Sequence, residues 1–116
     1  MKAERNPADS LADILDASGK ITKFISGLDS AQFADDEKTF FAVIRGLEII
    51  GEAARKTPPS IREKYPRIPW REPTGMRDKL IHDYMGVNVT VVWKTVTEDL
   101  PAIEPKIREI LNELRG

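Results

Sequence analysis

The chain has 116 residues, of which 41% are hydrophobic, with 18 basic and 19 acidic side chains and no cysteine. This length and composition predict a single folded domain over residues 1–116 and exclude a disordered chain. A formal net charge of −1 excludes a chain-wide basic field for nucleic acid, and the lack of cysteine excludes disulfides and thiolate metal sites. No apolar run approaches the roughly 18 residues of a membrane span, and the first residues lack a signal-peptide core, so we expect a cytoplasmic protein without a membrane partner.

The first predicted helix covers residues 10–28, where apolar side chains recur at steps of three and four. This spacing is typical of an amphipathic helix, and Asp9 or Ser10 is the expected N-cap. Asp29 and Ser30 are expected to end this helix and to begin the next element.

The longest predicted helix covers residues 36–56. Its apolar stripe consists of Val43, Leu47, Ile50 and Ala54, widened by Phe40, Ile44 and Gly51. A glycine such as Gly46 or Gly51 costs about 1 kcal/mol relative to alanine in a helix interior. We therefore expect a close helix–helix contact at these glycines.

A second face of the same helix is charged. Arg45, Glu48 and Glu52 follow one another at steps of three and four and so lie on one side. Two interpretations are open: solvated ion pairs along a helix surface, or groups that take part in a functional site.

Prolines interrupt the chain after this helix. Residues 57–59 (TPP) are expected to end it, and residues 60–65 to form one helical turn. Three further prolines keep residues 66–74 irregular. Trp70 in this stretch is expected to fill the core, with stacking on a ligand as the alternative.

The last third of the chain is predicted to be helical. Residues 75–85 form one helix, and Gly86 marks its end. Further apolar stripes continue at Val89, Val92, Trp93 and Val96, and at Ile107, Ile110, Leu111 and Leu114. Pro101 and Pro105 are expected to kink or split this segment. The predicted fold class is all-α, a single-domain antiparallel bundle of four to five helices.

Residues 77–84 (RDKLIHDY) contain the only histidine of the chain. A histidine can move a proton near neutral pH, and an arginine offers a fixed fork of donors to phosphate oxygens. Arg77 and His82 are therefore candidates for chemistry on a phosphodiester.

Arg77 also has an unusual place on its predicted helix. At about 100° per residue it lies in the middle of an apolar stripe with Ile81 and Tyr84, while Asp78 and His82 lie one turn apart on the flank. A charged residue on a buried face needs a partner or a wet cleft. Either Arg77 pairs with an acidic residue of a neighbouring helix and His82 is structural, or both line a cleft.

The segment that leads into these residues is basic. Residues 62–79 carry six basic and three acidic side chains. Arg71 and Lys79 are candidates to hold an RNA backbone. The alternative is a solvated surface of mixed charge.

No metal or cofactor site is predicted. The sequence has no glycine-rich phosphate loop, and a single histidine cannot supply a His-containing zinc set. The acidic run at residues 35–37 is better explained as the N-terminus of a helix.

With these motifs in place, the chain resembles a HepT-type member of the HEPN superfamily over nearly its whole length. The resemblance rests on residues 42–54 (AVIRGLEIIGEAA), 69–71 (PWR), 75–84 (GMRDKLIHDY), 92–93 (VW) and 98–101 (EDLP). An arginine and a histidine five residues apart are a weak signal alone, whereas this ordered set is specific.

The resemblance implies a HEPN-like homodimer that acts as the toxin of a type VII-like toxin–antitoxin system. The implied activity is a metal-independent endoribonuclease, with Arg77 and His82 catalytic at the dimer cleft and Asp78 in support. Tyr84 resembles the tyrosine that a cognate nucleotidyltransferase adenylylates to silence the toxin, although Tyr84 as a core residue stays open. The alternative is a helical dimer that binds a nucleotide or a partner without catalysis.

Overall fold

The computed structural model describes residues 6–66, 68, 70 and 89–116. All regular elements in these ranges are helical, which confirms the all-α prediction. They are α1 (Pro7–Ile25), α2 (Ser30–Asp35), α3 (Glu37–Lys56), α4 (Pro59–Lys64), α5 (Val89–Lys94), a π-helical turn (Thr95–Asp99) and α6 (Leu100–Arg115). None of these described helices combines the length and the apolar character that a bilayer crossing requires.

Helix α1 begins earlier than predicted. Its N-cap is Asn6, whose Oδ1 accepts a hydrogen bond of 2.9 Å from the backbone N–H of Ala8, and Pro7 follows at the first helical position. The predicted caps Asp9 and Ser10 are therefore wrong. An asparagine followed by proline is itself a strong start signal, because proline has no N–H to leave unpaired and its φ angle already suits a helix.

The end of α1 is also shorter than predicted. The helix stops at Ile25 rather than at residue 28, and Gly27 takes a φ angle of +81°. Glycine tolerates this left-handed conformation, so the chain turns there. Asp29 then caps α2 in a capping box, because its carboxylate accepts from the N–H of Gln32 while the Gln32 side chain accepts from the N–H of Asp29.

Helices α1 and α3 pack antiparallel against each other. Val43, Leu47, Ile50 and Ala54 are all buried, as the stripe predicts. The close approach occurs at Gly46, where an added Cβ would lie 2.7 Å from Cγ1 of Ile21. Gly46 therefore allows the two backbones to come together, which confirms the predicted contact at this glycine.

Two glycine substitutions are expected to have opposite effects on stability. Gly19→Ala in α1 should raise the free energy of unfolding by about 0.5–1 kcal/mol, since a Cβ there meets nothing within 4 Å and alanine favours helix. Gly46→Ala should lower it by about 1 kcal/mol or more, because the clash with the fully buried Ile21 outweighs the same propensity gain. Urea unfolding of both variants tests this, and a stabilising Gly46→Ala would contradict the packing described.

Helix α3 has a titratable cap. The carboxylate of Asp36 accepts from the backbone N–H of Thr39 at 3.0 Å and from its hydroxyl at 2.7 Å. These bonds, first that of the side chain and then that of the backbone, hold the pKa of Asp36 below its usual range. The acidic run at residues 35–37 thus serves a helix N-terminus, as expected from the sequence.

Replacement of Asp36 is expected to change the response of the fold to acid. Because the folded pKa is lowered, the stabilisation is present above the unfolded value and is lost as the pH falls through the folded one. Asp36→Asn keeps a capping acceptor but cannot titrate. The stability difference between wild type and this variant should therefore be largest near pH 7 and shrink below about pH 4, the ordinary aspartate pKa. Urea midpoints that differ equally at pH 7 and pH 3 would contradict this assignment.

An aromatic cluster joins three helices. Phe33 of α2 is fully buried, and its ring centroid lies 5.7 Å from that of Phe40 in α3 and 5.1 Å from that of Trp93 in α5. Such tilted aromatic contacts add to the apolar area that they bury. The cluster fixes the position of α5, the first described element after residue 88.

The C-terminal segment continues as one helical rod through a π-helical turn. The N–H of Leu100 donates to the carbonyl of Thr95, five residues back, instead of four. Pro101 explains this turn, because proline cannot donate and its ring would clash with the carbonyl four residues before it. Pro101 therefore widens the helix rather than breaking it, and Pro105 lies inside α6. The sequence analysis expected a kink or a split of this segment, and the structure has a π-helical turn just before Pro101.

Candidate functional site

The predicted site residues lie outside the described residues. These are Arg71, Arg77, Asp78, Lys79, His82 and Tyr84, together with the predicted helix at 75–85. The structure instead describes the parts of the chain that lead into this segment and out of it.

The chain is anchored in the core just before the segment. Ile68 and Trp70 are both buried, and Trp70 is 8% exposed. The indole N–H of Trp70 donates to the carbonyl of Tyr65 at 3.1 Å. Trp70 is thus a core residue, as predicted, and its position fixes where the chain enters residues 71–88.

The chain is anchored again just after the segment. Val92 is fully buried, and Trp93 packs on Phe33. The hydroxyls of Thr95 and Thr97 donate to the carbonyls four residues earlier, at 2.9 and 2.7 Å. Such side-chain bonds bend helices, and π-helical turns are frequent next to functional sites.

The outward surface of α3 carries the charged residues that the sequence singled out. Arg45 pairs with Glu48 at 3.8 Å, and Glu52 pairs with Arg55 at 2.9 Å. This confirms ion pairs along the helix surface, in which the partner of Glu52 is Arg55. A cleft of about 400 Å³ lies along this surface, lined by Asp13, Arg45, Glu48, Ile49, Glu52, Ala53, Arg55 and Lys56.

A second cleft lies between the end of α4 and α6. The hydroxyl of Tyr65 donates to the carboxylate of Glu113, and the ammonium of Lys64 lies 5.5 Å from the centre of the Tyr65 ring. The volume of this cleft is about 320 Å³, and Lys106 and Glu109 contribute to its wall. Nothing in the sequence indicates the Tyr65–Glu113 contact, because it joins residues that are distant in the chain.

The described part of the chain contains no group of three or more His, Cys, Asp and Glu residues arranged to hold a metal ion. Of the charged residues in the basic segment at 62–79, only Arg62, Glu63 and Lys64 have a described position. The cationic surface predicted for this segment stays a prediction.

The buried residues on both sides of 71–88 are part of a longer stretch of sequence that is similar to a known protein family. The profile of the family described as "Ribonuclease HepT-like" matches residues 14–110. The chain belongs to this family. The HepT-like match covers most of α1, all of α3, the buried residues on both sides of 71–88 and most of α6, so it does not depend on the Arg77–His82 cassette alone.

Individual relatives agree with the HepT-like assignment. A protein of Thermococcus cleftensis named "Probable ribonuclease HepT" is 48% identical over 92% of this chain and 97% of its own length. A protein of Methanocaldococcus jannaschii named "Putative RNase" is 42% identical over 91% of this chain and 88% of its own. One of Caldanaerobacter subterraneus, also named "Putative RNase", is 38% identical over 94% and 97%. No solved structure shows significant similarity to this chain.

Proposed function

We propose that this HepT-like chain is a metal-independent endoribonuclease and the toxin of a type VII-like toxin–antitoxin pair. The family membership over residues 14–110 carries the proposal. The match covers nearly the whole length of the relatives that are named as ribonucleases. The activity in their names is therefore that of proteins with the same length as this chain. An RNA substrate and an antitoxin partner are consistent with a cytoplasmic location.

The proposed chemistry follows from the 2′-hydroxyl of RNA. His82 acts as a general base and takes the proton of this hydroxyl, whose oxygen then attacks the adjacent phosphorus. The bond to the 5′-oxygen breaks, and this oxygen takes a proton from water and leaves as a hydroxyl. Arg77 stabilises the charge that develops on the phosphorane oxygens. Asp78, one turn before His82 on the predicted helix, orients the imidazole or raises its basicity. Arg71 and Lys79 hold neighbouring phosphates.

The proposed active unit is a homodimer. The predicted helix would place Arg77 in the middle of an apolar stripe, where a monomer would have to bury a charge without a partner. A two-fold dimer would bring both copies of Arg77 and His82 to one wet cleft. We expect no cofactor for this reaction.

Control of the toxin is assigned to Tyr84. A cognate nucleotidyltransferase would transfer AMP from ATP to the phenol oxygen of Tyr84, releasing pyrophosphate. The attached phosphate adds about one negative charge and a nucleoside beside Arg77, so it would oppose RNA by charge and by bulk.

The proposal is tested by incubation of the purified protein with RNA and with DNA of the same sequence, with magnesium and with EDTA. We expect cleavage of RNA under both conditions and none of DNA, because DNA lacks the attacking hydroxyl. Binding of RNA without cleavage would favour the alternative, a non-catalytic binding dimer. Cleavage that requires the metal would contradict the proposed chemistry.

A further inference from the structure

The cleft between the end of α4 and α6 has an apolar floor and a charged rim. Ile68 and Ile110 form the floor, since they line the cleft and are only 5% and 1% exposed. Lys64, Lys106 and Glu109 line it as exposed side chains. Its volume of about 320 Å³ lies at the lower end of the range for small-ligand sites, roughly 300–1,000 Å³, so the cleft has room for one small ligand.

The two lysines of the rim are free to bind an anion. Neither ammonium group has a carboxylate partner among the residues that the structure describes. The ammonium of Lys64 lies 5.5 Å from the centre of the Tyr65 ring, within the range of a cation–π contact. The Tyr65 hydroxyl donates to Glu113, so the ring that holds Lys64 is itself tied to α6. Lys64 is therefore held beside the cleft, and an anion can bind there without breaking an ion pair.

We propose that this cleft binds one nucleotide of the RNA substrate, on one side of the cleaved bond. The base lies on the apolar floor, and the phosphate lies between the ammonium groups of Lys64 and Lys106. The inference rests on the proposed ribonuclease function and adds a subsite outside the Arg77–His82 cassette. The subsite selects unpaired RNA, because a base can reach the floor only when it is not paired with another strand.

The charges of the rim favour a ribonucleotide over a more highly charged anion. Of the charged residues that line the cleft in the described part of the chain, two are basic and one, Glu109, is acidic. Glu109 repels a second phosphate, whereas a ribose 2′-hydroxyl can donate a hydrogen bond to its carboxylate. The cleft therefore offers a partner to each of the three parts of one ribonucleotide, which are the phosphate, the ribose and the base.

The cleft is close along the chain to a residue that we assign to phosphate binding. Arg71 follows Ile68 by three residues. Three residues span at most about 11 Å even when they are fully extended, so the covalent chain keeps the Cα atoms of Ile68 and Arg71 within this distance. One RNA strand can therefore reach both, with one nucleotide in the cleft and a neighbouring phosphate at Arg71.

Replacement of both lysines tests the phosphate contact. An RNA with a 2′-deoxy nucleotide before the cut lacks the attacking hydroxyl, so it should bind without being cleaved, and fluorescence anisotropy measures its affinity. K64Q/K106Q should weaken this affinity about tenfold and reduce the slope of log K against log salt concentration by about 0.7, the value for one single-strand phosphate contact. K23Q/K38Q is the matched control, because it also removes two exposed lysines but lies on α1 and α3, away from this cleft. It should bind like the wild type.

Removal of a base from the RNA tests the apolar floor without changing the protein. An abasic nucleotide keeps the ribose and the phosphate, and it is moved one position at a time along the RNA. At one position beside the cut it should weaken binding to the wild type about tenfold, within the range for loss of one stacked base. The same position should matter less for K64Q/K106Q, because a single nucleotide provides both contacts. Pairing of that nucleotide with a short complementary strand should also weaken binding.

The outcomes distinguish the subsite from the proposed function. Weaker binding and a smaller salt slope for K64Q/K106Q, together with an abasic effect at one position, support the subsite. Wild-type affinity of K64Q/K106Q, or no abasic effect at any position, overturns the subsite, while cleavage by the wild type leaves the ribonuclease intact. AMP that binds the cleft as tightly as the RNA does, or a K64Q/K106Q variant that loses affinity only for the nucleotidyltransferase, also overturns it. RNA binding with the expected signatures but without cleavage of any RNA overturns the proposed function and supports the cleft as an RNA site.

Discussion

His82→Ala is expected to reduce the rate of RNA cleavage by roughly 10²–10⁴-fold, the range for loss of a general acid–base group. Without the imidazole, no side chain of the chain that titrates near neutral pH can take the 2′-hydroxyl proton, because His82 is the only histidine. Arg77→Ala should cause a loss of similar size, since charge on the phosphorane then has no guanidinium partner. If the two residues act as a unit, the double variant should be little worse than either single one. Single-turnover cleavage of a labelled RNA gives these rates.

Lys79→Ala is the matched control for both variants. It removes a nearby cation that we assign to phosphate binding, so it should weaken RNA affinity and reduce the salt dependence of binding. The rate of cleavage at saturating protein should stay close to that of the wild type. Circular dichroism should show unchanged helicity in all variants. Cleavage at the wild-type rate by a folded His82→Ala protein would remove His82 from the mechanism.

Tyr84→Phe is expected to escape silencing by the partner nucleotidyltransferase while retaining cleavage of RNA. Phenylalanine keeps the ring and its packing but lacks the phenol oxygen that would accept AMP. For the wild-type protein, incubation with the nucleotidyltransferase and ATP should attach one or more AMP units at residue 84 and suppress cleavage. Mass spectrometry of the treated proteins locates the modification.

The control for this experiment is the same mixture without ATP, which separates transfer of AMP from simple binding. Cleavage should then persist in the wild-type protein. Full inhibition with an unmodified Tyr84 would mean that the partner occludes the site instead. Modification at the second tyrosine, Tyr65, would also contradict the assignment, and its hydroxyl is already bonded to Glu113.

The sequence predicted helix α3 almost completely. The predicted range of 36–56 differs by one residue from Glu37–Lys56, and the buried stripe is the expected one. A long segment with clear periodicity, an acidic N-cap and two prolines after its end leaves few alternatives. Even the Gly46 contact could be predicted, because a glycine inside a helix usually permits a close approach.

Two differences between the predicted and the observed helices have a common physical origin. The periodicity of apolar residues shows where a helix must be buried, but the start of α1 depends on Asn6 and Pro7, which precede its apolar positions. Likewise, the π-helical turn before Pro101 depends on how the chain accommodates one missing N–H. Local backbone chemistry, not burial, decides both features.

The candidate site is predicted from residue types and from the family resemblance. Family membership is confirmed by the match over residues 14–110, whereas the roles of Arg77, His82 and Tyr84 stay predictions. Long-range contacts could not be predicted from the sequence, for a different reason. The cluster of Phe33 with Trp93 and the bond between Tyr65 and Glu113 depend on how distant segments pack.

The measurement that tests the central claim most directly is the identity of the ends at a mapped cleavage site, with EDTA present. Attack by the 2′-hydroxyl should leave a 2′,3′-cyclic phosphate on one fragment and a 5′-hydroxyl on the other. A single 2′-deoxy substitution at the nucleotide before the cut should abolish cleavage there while binding is retained. Fragments with a 5′-phosphate and a 3′-hydroxyl, or cleavage that continues past the 2′-deoxy substitution, would contradict the proposed mechanism.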